Sequence, residues 1–218
     1  MDSTPGPQIT RRAGLLALGA AIVAPNLAAR AETPPPVVTL LGDSITAGLG
    51  LPAADALPAQ LAVSLRRLGE PIRMRGAGVS GDTTADALAR VDFSVQGDTR
   101  LCLVALGGND LLQGVEPAVV KANLTAIVRR LKARRIGVLL AGMRAPPAIG
   151  SAYAREFNAV FASVARTEGA GLYPFLLDGV AGDSRLNQTD GVHPNAAGVK
   201  IIADRLAPTV ARALAEKR

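Results

Sequence analysis

The chain has 218 residues, 49% of them hydrophobic and 19% charged, which suits a single globular domain with a sizeable core. Its formal net charge of +6 is modest, and no aromatic residue interrupts the densest basic cluster, residues 129–135, so a nucleic-acid partner is not expected. One histidine and one cysteine are too few for a metal site built from His and Cys or for an intrachain disulfide.

The N-terminal segment has the pattern of an export signal. Arg11 and Arg12 precede an apolar run, residues 13–24, that is too short to span a bilayer as a helix. The tripeptide Ala29-Arg30-Ala31 places small residues at the spacing of a cleavage site, so we predict removal of residues 1–31. The paired arginines are compatible with the twin-arginine route, and an ordinary Sec signal is the equally open alternative.

Cleavage there leaves a mature protein that begins with a Pro-rich spacer, residues 32–36, and continues as one domain over residues 37–218. No internal repeat and no second linker interrupts that domain. We expect the protein in the periplasm or outside the cell, as a monomer without a transmembrane anchor once the signal is removed.

Strand-like and helical patterns alternate along the domain. Short apolar runs predict strands at residues 37–41, 101–106 and 136–141, with weaker ones at 72–75 and from 172. Apolar residues at helical spacing predict helices at 56–68, from 84 to about 91, from 117, across 153–164 and from 195, where Pro208 should kink or split the last helix. This alternation predicts an α/β fold, a three-layer α/β/α sandwich around a mostly parallel sheet of roughly five strands.

The tripeptide Gly42-Asp43-Ser44 directly follows the first predicted strand. Open α/β sheets bind ligands at the carboxyl ends of their strands, so Ser44 is expected at the ligand-binding edge. A serine nucleophile needs a base, and the only histidine, His193, lies shortly after Asp190. We therefore predict an acyl-transfer triad in which Ser44 is the nucleophile, His193 the general acid/base and Asp190 the group that orients the imidazole. Asp178 and Asp183 are rival orienting groups outside this compact turn.

Two further blocks complete a family pattern, namely Gly76-Ala77-Gly78-Val79-Ser80-Gly81-Asp82-Thr83-Thr84 and Gly107-Gly108-Asn109-Asp110. With Gly42-Asp43-Ser44 and Asp190-Gly191-Val192-His193-Pro194, they make the sequence resemble the GDSL/SGNH hydrolases, and among these the bacterial arylesterase and thioesterase/lysophospholipase branch. The resemblance runs from about residue 37 to the last helix, with the blocks in family order. Gly76 stands where this branch often has asparagine.

The resemblance implies a serine hydrolase that cleaves carboxylic ester or thioester bonds of a small substrate through an acyl-enzyme, with no cofactor and no metal. It assigns the oxyanion hole to the backbone N–H groups of Ser44 and Gly81 and to the side-chain amide of Asn109. It also places the acyl pocket along segments 110–115 and 144–153, where the predicted lining residues are Asp110, Leu111, Pro146, Ile149 and Tyr153. That wall is largely apolar, and with two Tyr, four Phe and no Trp in the chain it suits an acyl chain or aryl group better than a sugar.

Three alternatives remain at this stage. An acetyl-carbohydrate esterase on the same fold is the first. A dinucleotide-binding enzyme is the second, because Gly76, Gly78 and Gly81 match G-x-G-x-x-G before a predicted helix and Asp98 follows downstream. The strand before that motif is poor, however, and nucleotide binding does not account for the triad. A non-catalytic binding module is the third, and turnover of a chromogenic acyl ester without a cofactor would separate the hydrolases from both other classes.

Overall fold

The computed structural model describes residues 1–4, 6 and 34–216. The predicted cleavage site after Ala31 and the first part of the predicted spacer lie outside these residues. The chain divides into two units, Met1–Thr33 and Pro34–Arg218, and all of the helices and strands named below belong to the second. Across the described residues, no helix combines the length and the apolarity that crossing a bilayer requires.

Five parallel strands form one sheet. They are β1 (Val37–Gly42), β2 (Arg73–Gly78), β3 (Thr99–Ala105), β4 (Gly137–Ala141) and β5 (Gly171–Tyr173), arranged in the order β2-β1-β3-β4-β5. β1 and β4 are buried along their whole length, as expected of parallel strands with helices on both faces. The edge strands β2 and β5 are only partly buried, which accounts for their weaker apolar pattern in the sequence.

The helices form the two outer layers. They are α1 (Ser44–Ala47), α2 (Leu57–Arg67), α3 (Thr84–Ser94), α4 (Gly108–Leu112), α5 (Pro117–Ala133), α6 (Ser151–Glu168) and α7 (Ala196–Ala215), with short 3-10 helices at Ala53–Asp55 and Pro147–Ile149. α2 packs against α7 in one layer, and α5 packs between α3 and α6 in the other. The predicted three-layer α/β/α sandwich with a five-stranded parallel sheet is therefore confirmed.

β2 is longer than predicted and includes two of the glycines of the G-x-G-x-x-G match. Gly76 and Gly78 pair with Leu40 and Gly42 of β1. A Cβ at position 78 would lie 2.4 Å from the backbone nitrogen of Ala47, so α1 packs directly on the backbone of β2. These two glycines lie in a strand against which α1 packs, and not in a phosphate-binding loop that opens a helix.

Two helix termini match the sequence, and the predicted split of the last helix at Pro208 is wrong. The Thr83 side chain accepts from the backbone of Asp86 and the Asp86 carboxylate accepts from that of Thr83, a capping box at the start of α3. Asn195 caps α7 by accepting from the backbone N–H of Gly198 at 3.1 Å. Pro208 does not split α7, which runs unbroken to Ala215, because the buried apolar face of this helix outweighs one lost backbone hydrogen bond.

The strand register brings three chain segments to one edge of the sheet. Gly42, the last residue of β1, is aligned with Gly78 of β2 and with Ala105 of β3. The segments that leave the sheet after these three residues carry Ser44, Gly81 and Asn109. All three predicted oxyanion-hole residues therefore follow the carboxyl ends of neighbouring strands, where open α/β sheets bind ligands.

Candidate active site

Ser44 stands on a sharp turn between β1 and α1. A Cβ on Gly42 would lie 2.1 Å from Oγ1 of Thr46 and 2.7 Å from the carbonyl oxygen of Ala105, so no larger residue fits there. Asp43 caps the helix, because its Oδ1 accepts a hydrogen bond of 3.0 Å from the backbone N–H of Ile45. Ser44 is then the first residue of α1, where a backbone N–H has no partner within the helix.

Ser44, His193 and Asp190 come together in one chain of contacts. Oγ of Ser44 lies 2.9 Å from Nε2 of His193, and Nδ1 of His193 lies 2.6 Å from Oδ2 of Asp190. Hydrogen bonds from the backbone and ring of His193, and from the backbone of Val192, lower the pKa of Asp190 to about 2. An ionised carboxylate can only accept, so Nδ1 carries a hydrogen and Nε2 of the neutral ring is left to accept from the Ser44 hydroxyl.

The loop that carries His193 is tied to the loop that follows the serine helix. The Gln188 side chain donates to the carbonyl oxygens of Leu49, at 2.8 Å, and Pro194, at 3.1 Å. The backbone N–H of Gln188 also donates to the carbonyl oxygen of His193 at 2.7 Å. Sequence reasoning missed Gln188, although its position near the His193 turn was a signal that it could contribute to the site.

The rival orienting groups do not contact His193. The carboxylate of Asp178 pairs with Arg205 at 2.8 Å, and that of Asp183 pairs with Arg185 at 2.7 Å. Asp190 is thus the carboxylate that the structure places on the imidazole. Cys102 is not suited to act as a nucleophile, because complete burial in β3 raises the pKa of its thiol to about 12.

Asn109 and Gly81 differ in how they are held. Nδ2 of Asn109 donates to the carbonyl oxygen of Asp82 at 2.9 Å, which uses one of its two hydrogens and leaves the other available. Gly81 has a φ of +90°, a conformation that residues with a Cβ rarely adopt, and nothing lies within 4 Å of a Cβ built there. Asn109 lines a cavity with Ser44 and His193, whereas Gly81 lies in the neighbouring loop.

This cavity has a volume of about 310 Å³ and opens beside the serine. Most of its wall is apolar and is formed by Ile45, Leu111, Leu112, Met143, Pro146, Phe175, Leu177, Ala181 and Val192. Leu111 and Pro146 were predicted from the sequence. Val192 stands in the histidine block and could have been inferred from that position, whereas the segment after β5 that supplies Phe175 and Leu177 carries no motif.

Three residues predicted to line the pocket lie elsewhere. Asp110 is completely buried, and its carboxylate accepts from the backbone N–H of Thr84 at 2.9 Å and from the Thr84 hydroxyl at 2.6 Å. The Tyr153 hydroxyl donates to the carbonyl oxygen of Val115 at 2.8 Å, and its ring stacks on that of Phe157 with the ring centres 5.9 Å apart. Ile149 is about half exposed and is not part of the cavity wall.

Besides Ser44 and His193, two charged side chains, Asp43 and Arg144, line the cavity. Burial is the main reason that the pKa of Asp43 is raised to about 6, despite the hydrogen bond from Ile45. Arg144 is exposed at the cavity wall, with its guanidinium carbon 5.1 Å from the centre of the Phe175 ring. Within the described part of the chain, Arg144 makes no ion pair, and no group of three or more His, Cys, Asp or Glu residues could hold a metal ion.

Comparison with known proteins identifies the family of this chain. The sequence profile of the GDSL-like Lipase/Acylhydrolase family matches residues 40–201. Esterase TesA of Pseudomonas aeruginosa PAO1 is 36% identical over 200 residues, which cover 91% of this chain and 98% of that protein. Thioesterase 1/protease 1/lysophospholipase L1 of Escherichia coli K12 is 34% identical over 181 residues, covering 83% of this chain and 84% of that protein.

Among solved structures, the crystal structure of AlinE4, an SGNH-hydrolase family esterase, is similar over 83% of this chain and 97% of its own, with a TM-score of 0.70 and 43% sequence identity. The family profile covers well over half of the chain, and the two curated relatives exceed 30% identity over most of their length. The chain therefore belongs to the GDSL-like Lipase/Acylhydrolase family and is a serine ester hydrolase.

Proposed function

We propose that Ser44, His193 and Asp190 are the catalytic residues of this hydrolase and that its substrates are small carboxylic esters or thioesters with an apolar acyl or aryl group. Support comes mainly from the continuous contacts of 2.9 Å and 2.6 Å that link the serine hydroxyl, the imidazole and the carboxylate beside an apolar cavity. The proposed triad needs no second copy of the chain, because Ser44, His193 and Asp190 contact one another within one chain.

The proposed reaction has two halves. His193 removes the hydroxyl proton of Ser44 at Nε2 while Oγ attacks the acyl carbon, and the substrate carbonyl becomes an oxyanion. The backbone N–H groups of Ser44 and Gly81 and the free N–H of Asn109 stabilise that charge. Imidazolium then gives its proton to the departing alcohol, phenol or thiol. Water attacks the acyl-enzyme with His193 as the base, releasing the acid and restoring Ser44.

The apolar wall supports an acyl chain or aryl group over a sugar. Leu111, Leu112, Met143 and Phe175 offer contact area and no hydrogen-bond acceptor for a hydroxylated ring. The names of the relatives, which describe an esterase, an arylesterase and a thioesterase/lysophospholipase, agree with ester and thioester bonds. No observation favours the acetyl-carbohydrate alternative.

Replacement of the serine tests the proposal. Ser44→Ala should lower kcat for a p-nitrophenyl acyl ester by about 10⁴-fold or more, with the folded structure retained. Ser64→Ala is the matched control, because Oγ of Ser64 also bonds a side chain, Asp204 at 2.6 Å, but lies between α2 and α7. Comparable turnover by the Ser44→Ala variant and the control would overturn the assignment.

We also propose that residues 1–31 are an export leader and that the mature protein is periplasmic or secreted. Support comes from the arginine pair, the short apolar run and the small residues at Ala29 and Ala31. N-terminal sequencing of exported protein should begin at Glu32, and replacement of both Arg11 and Arg12 by lysine should stop export by a twin-arginine route. Recovery of active enzyme in the cytoplasm with the leader intact would contradict the proposal.

A further inference from the structure

The guanidinium of Arg90 lies beneath the carboxyl ends of β1 and β2. Its Nη2 donates to the carbonyl oxygens of Gly42 and Ala77, each at 3.0 Å. Its Nε donates to Oδ2 of Asp82 at 2.6 Å, and its Nη1 donates to the Ser94 hydroxyl at 2.9 Å. Arg90 lies on α3, and its side chain, whose exposed fraction is only 20%, thus links this helix to the end of β1, the end of β2 and the loop between β2 and α3.

The strand ends and the loop that Arg90 contacts carry or hold the proposed oxyanion donors. Gly42 ends the strand from which the chain turns to Ser44, and its carbonyl oxygen also accepts from the Val79 backbone at 3.1 Å. Asp82 follows Gly81 in the loop. The carbonyl oxygen of Asp82 accepts the Asn109 amide at 2.9 Å, so the same residue that binds Arg90 through its side chain orients Asn109 through its backbone.

We propose that Arg90 is a positioning residue that sets the distances between the three oxyanion donors, Ser44, Gly81 and Asn109. The guanidinium suits this task because its N–H groups are fixed in one plane, so the acceptors they bond are held at fixed distances from one another. The inference rests on the proposed function, since it requires that these three groups stabilise the oxyanion. Arg90 itself does not touch the substrate.

The chemistry explains why the effect should fall on turnover. Donors stabilise the transition state only when each lies within hydrogen-bond distance of the developing oxyanion, and a displacement of about 1 Å can lower the rate by about 10²-fold. The cavity walls that bind the acyl group do not include Arg90. Loss of the guanidinium should therefore lower kcat and leave KM nearly unchanged.

The test compares Arg90→Met and Arg90→Lys with Arg75→Met. Arg75 is the matched control, because it lies on β2, is 29% exposed and bonds a carboxylate, Asp98 at 2.7 Å, without contacting the donor-bearing segments. We expect Arg90→Met to lower kcat by about 10- to 100-fold with KM changed less than about threefold, and Arg75→Met to leave both constants near wild type. Arg90→Lys keeps the positive charge but lacks the planar set of N–H donors, so its kcat should lie between those of wild type and Arg90→Met.

A double-mutant cycle with Asn109→Ala separates positioning from general damage. If Arg90 acts through the donors, the double variant should lose much less activity than the product of the two single losses. The inference would be overturned if the losses from Arg90→Met and Asn109→Ala multiplied in the double variant. It would also be overturned if Arg90→Met and Arg75→Met lost the same activity. If Asn109→Ala alone left kcat unchanged, the oxyanion assignment in the proposed function would fail instead. Should Arg90→Met not fold, the cycle with Arg90→Lys has the same interpretation.

Discussion

Asp190 holds both the backbone and the ring of His193. Its Oδ1 accepts from the His193 backbone N–H at 3.0 Å, and its Oδ2 lies 2.6 Å from Nδ1 of the imidazole. The side chain of Asp190 is nearly half exposed, yet these bonds lower its pKa to about 2, so the carboxylate remains ionised at every pH where the enzyme is expected to work. The imidazole therefore has a fixed orientation and a fixed tautomer.

Replacing Asp190 by asparagine should separate its bond to the His193 backbone from its effect on the tautomer of the ring. The side-chain oxygen of the introduced asparagine can still accept the backbone bonds, so Asp190→Asn should fold, but its amide would donate to Nδ1 and favour the tautomer whose Nε2 cannot accept from Ser44. We expect kcat to fall by about 10⁴-fold, as in other triads. Asp183→Asn, which alters a carboxylate paired with Arg185, is the control and should keep its activity. A mild effect in Asp190→Asn would show that the carboxylate does not orient the base.

A pair of glycines allows the role of Gly81 to be tested. Gly81 and Gly69 have φ values of +90° and +78°, and neither would place a Cβ within 4 Å of another heavy atom. Alanine at either position should cost about 1–2 kcal/mol of folding stability through backbone strain. Only Gly81→Ala should also lower kcat, by about 10- to 100-fold, because relaxation of the strain moves an oxyanion donor. Equal kcat values in the two variants would remove Gly81 from the proposed oxyanion hole.

Asp43 should make stability depend on pH. Its folded-state pKa is about 6 against an ordinary value of 3.8, so the folded protein binds this proton more tightly than the unfolded chain does. The associated stabilisation is complete below pH 3.8 and is lost as the pH rises to about 6. In Asp43→Asn this dependence disappears. As the pH rises from 4 to 7, the free energy of unfolding of the variant should therefore increase by about 3 kcal/mol relative to that of wild type. Urea unfolding of both proteins across that pH range is the measurement. A difference in the free energy of unfolding that stays constant with pH would contradict the prediction.

Arg144 should influence which esters are preferred. Its guanidinium faces the cavity without an acidic partner among the described residues, so an anionic group on the substrate can interact with it. Arg144→Met should lower kcat/KM for 4-carboxyphenyl acetate by about 3- to 10-fold relative to phenyl acetate, and 0.5 M NaCl should reduce this selectivity to about half or less. Arg155 is an exposed arginine outside the cavity wall, so Arg155→Met should change neither the preference between the two esters nor its dependence on salt. Equal losses on both esters would mean that Arg144 contributes packing only.

The order of helices and strands, and hence the three layers, could be predicted from the sequence because strand and helix periodicities are local signals. The residues that the strand ends bring together could be predicted because they stand in motifs that follow the strands. Long-range polar contacts leave no such signal, and this is why the role of Arg90 was not predicted, whereas Gln188 lies close enough in sequence to the His193 turn to have been considered. Asp110 shows a second limit. It is adjacent to Asn109, but successive residues of a helix point in different directions, and Asp110 faces the interior and Thr84. β2 was predicted too short because Gly78 reflects the close packing of α1 on its backbone, which periodicity does not reveal.

The position of the single histidine has a practical consequence. The ring of His193 contacts both Ser44 and Asp190, and no other imidazole occurs in the chain. In a proton NMR spectrum of the unlabelled protein, the histidine ring signals therefore come from the proposed base alone and need no assignment by mutagenesis. Binding of an inhibitor to the serine, or protonation of the ring, could be followed at one resonance in the native enzyme.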